Sequence, residues 1–121
     1  MKVLVVEDDS SVRETLGMVL EAFNHDPALV SDGPQALKYL KNDWPDVMLL
    51  DLSLPGMNGE EVHASIHSEF GKVPPTVVLS AVQRGEKRVE HLKKTWFLAK
   101  PYTIEQLAQI LQEAANSKGA A

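Results

Sequence analysis

The residues best suited to chemistry in this chain are oxygen acids, one hydroxyl and one amine, and each follows an apolar run. VLVV leads into Glu7, Asp8 and Asp9; VMLL into Asp51; TVVL into Ser80; WFLA into Lys100. A carboxylate is among the costliest groups to take from water, so one that ends a buried run calls for a compensating charge. Clustered carboxylates also repel one another. A hard divalent cation answers both costs. Magnesium takes oxygen ligands, keeps several waters, and binds one or two carboxylates together with a phosphate oxygen. Lys100 offers a second positive charge to a phosphoryl group, and Ser80 offers a hydroxyl donor. Asp51 is a candidate nucleophile, since aspartate forms acyl phosphates. Phosphoryl transfer asks mainly for positioning and charge neutralisation, and this set supplies both.

Such residues meet only if the elements before them lie side by side. Lys2 to Val6 reads as a strand buried on both faces. Ser10 or Ser11 offers an N-cap to a helix with Val12, Leu16, Val19, Leu20 and Phe23 on one stripe, ended by Asn24 to Pro27. Ala28 to Ser31 is a weak second strand. Asp32 or Gly33, then Pro34, open a second helix with Ala36, Leu37 and Leu40 inward, closed by Trp44-Pro45. Asp46 to Leu50 is a third strand. A third helix starts at Asn58 or Gly59 and runs to Phe70, with Val62, Ile66 and Phe70 facing inward and Gly71 ending it. Thr76 to Leu79 is a fourth strand. Gln83 to Lys94 is a charged helix with only Val89 and Leu92 to bury. Trp96 to Ala99 is a fifth strand, and Thr103 caps a last helix with Ile104, Leu107, Ile110 and Leu111 as its stripe. Residues 116–121 form a small-residue tail expected to fray.

Strand and helix therefore alternate five times. Short connections between them imply a parallel sheet with right-handed crossovers and helices on both faces. In such sheets the functional crevice lies at the carboxyl ends of the strands, where the acids, Ser80 and Lys100 fall.

Composition narrows the field. The 121 residues match one ordinary domain, and 44% apolar content supports a core. The net charge of −5 speaks against direct nucleic-acid binding by this domain, which needs clustered Lys and Arg. Without cysteine there is neither a disulfide nor a thiolate metal site. No apolar run approaches a membrane span, and MKVLVVEDD turns acidic too soon for a secretory signal. A single cytoplasmic domain over 1–121 is the expectation, without membrane contact.

Four separated signatures, VVEDDSSVR, LLDLSLPGMNG, VVLSA and LAKPY, together resemble the receiver domain of bacterial two-component response regulators, over about residues 2 to 115. The resemblance implies the chemotaxis-regulator-like fold: an α/β, flavodoxin-like, doubly wound, five-stranded parallel sheet of order 2-1-3-4-5 with five helices in three layers. It implies Mg2+ (or Mn2+) at the acidic pair Glu7 and Asp8, with Asp8 the direct ligand and Glu7 acting more through water. Asp9 lies outside the pair. Asp51 would be phosphoacceptor and metal ligand, and Ser53 would offer its backbone carbonyl to the ion. Ser80 would be the switch hydroxyl, Lys100 the phosphoryl-binding lysine and Phe97 the switch aromatic. Pro55 and Gly59 would shape the loop, and Pro101 would follow Lys100, often through a cis peptide. The implied partners are a sensor histidine kinase or phosphotransfer protein and a downstream output protein or domain, and a homodimer is allowed. The domain would accept phosphate and self-catalyse its gain and loss, rather than act as an enzyme on other substrates. The signal would leave through the face of the fourth helix, fifth strand and last helix. The chain would be a stand-alone receiver or part of a longer regulator.

The sequence departs from the family pattern in places. Ser80 and Lys100 are 20 positions apart, slightly fewer than the pattern, which predicts a shortened fourth helix or exit loop. Phe97 lacks a tyrosine hydroxyl. Val82 is apolar where a polar side chain often orients the hydrolytic water, so fast dephosphorylation is not expected.

Plainer readings exist for each residue. Asp51 alone could be a turn residue, Asp8 or Asp9 a helix cap, Lys100 a solvated cation and Ser80 a strand end. His63 and His67 have a zinc-compatible spacing but no third ligand, and read as a solvated pair; His25 and His91 read as surface residues, and Trp44 and Trp96 as packing. Two functions compete with the switch. One is a receiver-like protein-binding module that no longer cycles. The other is an aspartate-nucleophile phosphatase, disfavoured because Ser53 stands where such enzymes carry an acid. A flavin would be repelled by the acids after strand one.

Overall fold

The computed structural model describes residues 1–81 and 94–117. Five strands, β1 (Lys2–Val6), β2 (Asp26–Val30), β3 (Val47–Asp51), β4 (Thr76–Ser80) and β5 (Thr95–Ala99), form one sheet of order β2-β1-β3-β4-β5. Every neighbouring pair is parallel. Among the described residues there are four helices: α1 (Ser10–Ala22), α2 (Gly33–Leu40), α3 (Gly59–Phe70) and α4 (Ile104–Asn116). The helix expected over Gln83 to Lys94 lies outside the described residues except for Lys94, and so does most of the tail.

Side-chain alternation along the strands sorts the core into two layers. Val3, Val5, Val47, Leu49, Val77 and Leu79 face α1 and α4, where Leu16, Leu20, Leu107 and Leu111 meet them. Leu4, Val6, Met48 and Leu50 face α2 and α3, against Ala36, Leu40, Val62 and Ile66. Each fully buried Leu contributes about 1.5–3 kcal/mol through apolar burial. Trp44 packs edge-to-face on Phe70 at 5.8 Å, the packing role expected for it.

Local chemistry starts and stops the helices. Asp32 caps α2, accepting from the Gln35 amide, with Pro34 in the first turn. Asn58 and Glu61 close a capping box on α3, and Thr103 and Gln106 do so on α4. Gly71 ends α3 in the left-handed region at φ 73.

Several expectations are corrected. The cap of α1 is Asp9, whose carboxylate accepts from the Val12 amide, not Ser10 or Ser11; an ionised cap also suits the positive end of the helix dipole. The second strand begins at Asp26 and includes Pro27. It lies at the sheet edge, where a proline costs no internal ladder bond. The third strand is Val47–Asp51 and so contains its terminal aspartate; the fourth and fifth gain Ser80 and Thr95. Val12 and Ile104 are not core residues but 36% and 54% exposed. With Leu16, Val19, Tyr102 and Leu107 they border an open groove of about 330 Å³ between α1 and α4. His63 is buried and only His67 is exposed, so the two are not a solvated pair. His25 is half-buried beside Phe23, while His91 lies outside the described residues.

Candidate functional site

Parallel pairing sends every strand's carboxyl end to the same edge, and β3 sits between β1 and β4. Asp51 is in register with Leu79, one residue before Ser80, while Val6 pairs with Leu50. Glu7 and Asp8 therefore leave β1 beside Asp51 on one side, and Ser80 ends β4 on the other. Lys100 follows β5, and its amide donates to the Ser80 carbonyl at 3.0 Å.

Glu7, Asp8 and Asp51 each bring a carboxylate oxygen to within 4.8 Å of the others. Glu7 and Asp51 are buried, Asp8 is exposed. The Lys100 ammonium lies 3.7 Å from Oδ2 of Asp51, and the Ser53 amide donates to Oδ1 at 3.0 Å. Glu7 Oε1 accepts from the Asp9 amide at 3.3 Å. Its Oε2 is buried with no hydrogen-bond partner among the described residues. When Glu7 and Asp51 are both ionised neither can donate to the other, so only a proton or a cation can bridge them. Burial first, and then Asp51, push the Glu7 carboxyl from 4.5 up to about 7, against the pull of Lys100 and the Asp9 amide.

An orphaned buried oxygen, three converging carboxylates and one ammonium leave a net negative, all-oxygen cradle. That donor set fits a hard divalent cation such as magnesium or manganese. It lacks the imidazole and thiolate ligands of a structural zinc site.

The loop after Asp51 is held close to the strand. The Gly59 amide donates to the Leu52 carbonyl at 3.1 Å. A Cβ at Gly59 would fall 2.8 Å from the Asp51 carbonyl, so only glycine allows this approach. Pro55 accepts from the Met57 amide at 2.8 Å, and Gly56 turns the chain at φ 74. Ser53 itself is exposed beside Asp51. The Lys100-Pro101 peptide is cis. Phe97 is half-buried, packed against Leu52 and Val78 below Ser80. The candidate residues taken from the sequence thus gather at one edge, with Asp9 turned to capping and Phe97 one layer beneath.

Two neighbours were not anticipated. The Arg13 guanidinium donates to the Glu7 and Asp8 carbonyls, and a cation at the end of the first turn of α1 is the sequence signal that could have marked it. Tyr102 is half-buried beyond Pro101, and burial together with Glu7 and Asp51 raises its phenol above its ordinary value. Its nearness to the acids depends on how the chain turns after β5.

Known proteins share this arrangement of sequence and fold. The family model described as response regulator receiver domain matches residues 3–112. The DNA-binding response regulator MtrA of Mycolicibacterium paratuberculosis is 44% identical over 80 residues, covering 66% of this chain and 35% of MtrA. The response regulator MprA of Mycobacterium avium is 36% identical over 109 residues, covering 88% of this chain and 47% of MprA. The chain therefore spans between a third and a half of the length of these relatives. Among solved structures, the receiver domain of the sensor histidine kinase PA1611 from Pseudomonas aeruginosa, described with a magnesium ion in its active site cleft, superposes with a TM-score of 0.83 at 28% identity, covering 96% of this chain and 98% of that one. The chemotaxis protein CheY4 of Vibrio cholerae gives 0.85 at 28%, covering 93% and 97%. Sheet order, layers and sequence signatures agree: the chain belongs to the response regulator receiver domain family of two-component systems.

Proposed function

We propose that this receiver accepts a phosphoryl group on Asp51 from the phosphohistidine of a sensor histidine kinase or phosphotransfer protein, and that the phosphorylated form is read by a downstream output protein or domain in the cytoplasm. The observation that carries the reading is the convergence of Glu7, Asp8 and Asp51 with Lys100 at one sheet edge.

Asp8, Asp51, the Ser53 carbonyl and, through water, Glu7 would hold Mg2+ or Mn2+. When bound, the cation offsets the carboxylate charge and the charge on a phosphoryl oxygen. An Asp51 carboxylate oxygen attacks phosphorus; the new P–O bond forms as the P–N bond breaks, its electron pair stays on the leaving imidazole nitrogen, and that imidazole takes its proton from solvent. The Ser53 amide holds Asp51 in place, a positioning effect of the kind that lowers such barriers. Lys100 shifts from the carboxylate to a phosphoryl oxygen and neutralises it. The Ser80 hydroxyl then donates to a second phosphoryl oxygen, and Phe97 follows into the space beside β4. Added charge at the site thereby biases a two-state surface around β5 and α4.

Incubation with acetyl phosphate, with and without Mg2+, followed by intact mass tests the proposal. One added phosphoryl group, dependent on the metal and lost in Asp51→Asn, is the expected result. No gain under either condition would leave a receiver-like binding module that does not cycle.

A further inference from the structure

We infer that Arg13 is a positioning residue for the divalent-cation site, acting through the backbone of the two acids that precede α1; the inference rests on the reading of Glu7, Asp8 and Asp51 as that site. Nη1 of Arg13 donates to the Glu7 carbonyl at 3.0 Å and to the Asp8 carbonyl at 3.3 Å. Those carbonyls belong to two of the three residues whose carboxylates converge. Glu7 has further ties, since its amide donates to Val30 and its Oε1 accepts from Asp9. For Asp8, Arg13 is the only hydrogen-bond partner among the described residues.

The location of Arg13 supports this role. Residues at the start of a helix meet the positive end of its dipole, which favours anions; the Asp9 cap obeys that preference, whereas Arg13, at the end of the first turn, is a cation placed against it. A residue that runs against the local preference marks a place where something else is served. The guanidinium also makes no ion pair with Glu7, Asp8 or Asp51 among the described residues. Its donors go to carbonyls, leaving the carboxylate oxygens available to a cation. Both bonds leave one nitrogen, Nη1, whose hydrogens the planar guanidinium holds in fixed directions, so it clasps successive carbonyls and fixes where the two side chains leave the chain. A lysine carries the same charge without that plane. Groups that orient metal ligands in this way typically govern metal affinity by tenfold or more.

The test compares wild type, Arg13→Ala and Arg13→Lys in three measurements. Mn2+ titration followed by electron paramagnetic resonance should show both variants binding about tenfold more weakly. In phosphorylation by acetyl phosphate, the Mg2+ needed for half-maximal rate should rise by a similar factor, while the rate at saturating Mg2+ stays near wild type. Thermal unfolding in EDTA reports folding separately, and if the alanine variant does not fold the lysine variant decides. Wild-type Mn2+ affinity in either variant would overturn the inference: in Arg13→Ala because the clasp is idle, in Arg13→Lys because charge alone suffices. Absence of Mn2+ binding by the wild type would overturn the reading of the site itself, and the inference with it.

Discussion

The ammonium of Lys100 stands 3.7 Å from Oδ2 of Asp51, across a strand that belongs to neither. Asp51 ends β3 and Lys100 follows β5, and β4 runs between those strands. At that separation the pair attracts by charge without a short hydrogen bond. The lysine is therefore near enough to hold an incoming anion and loose enough to change partner.

Replacing Lys100 with Gln should slow phosphorylation of Asp51 by acetyl phosphate on the order of a hundredfold, as for loss of one charge-stabilising donor. Mg2+ binding should not weaken, because the substitution removes a competing cation. Parallel mass-spectrometric rates and metal titrations check this. A joint loss of both would instead point to a disturbed β5.

Mg2+ should stabilise the fold, since three of its proposed ligands converge only in the native state. At 100 times its dissociation constant the gain is about 2.7 kcal/mol. In Asp8→Asn the metal-free protein should be slightly more stable, because one of three facing carboxylates is gone. Its response to Mg2+ should largely vanish. Denaturant unfolding with and without metal reads both effects.

Glu7 gives the metal-free protein a defined pH dependence. Its folded carboxyl is raised to about 7 from 4.5, so its stabilising contribution is complete below about 4.5 and is lost as pH rises through about 7. Metal-free unfolding midpoints should accordingly fall across that window, and Glu7→Gln should flatten the fall. Mg2+ competes with the same proton, so its affinity should increase from pH 6 to 8. Midpoints and metal titrations over a pH series test the sign.

Gly59→Ala should destabilise by about 1–3 kcal/mol, the cost of forcing a methyl into a filled space. The new carbon would meet both the Asp51 carbonyl and the Leu52 Cα. Phosphorylation should slow as well, because Asp51 would have to shift. Chemical denaturation and the acetyl phosphate assay provide the two readouts.

The sheet was legible because each buried strand is an apolar run too short for a helix, broken by turn residues. The site was legible for the same reason: the runs stop at Glu7, Asp51, Ser80 and Lys100, and parallel pairing does the rest. What escaped depends on tertiary neighbours. The sequence offered Asp8, Asp9, Ser10 and Ser11 as caps of α1, and only backbone geometry selects Asp9 among them. His63 read as one of a solvated pair with His67, yet it is buried. Val12 and Ile104 fit a helical period and still remain open to solvent, because they line an open groove between α1 and α4. Arg13 reaches back from α1 to the Glu7 and Asp8 carbonyls, and Tyr102 nears the acids through the turn after β5, neither of which an apolar period encodes.

Pro27 carries a consequence for how copies of this protein meet. In β2 the Asp26 amide points inward to the Met1 carbonyl, so by alternation the next position directs its nitrogen to the open edge. Proline has no hydrogen there, and a strand added from outside would find a missing donor near the start of the ladder. The edge beside β2 is thereby guarded against sheet-to-sheet aggregation, and self-association of this receiver is steered away from strand addition at that edge.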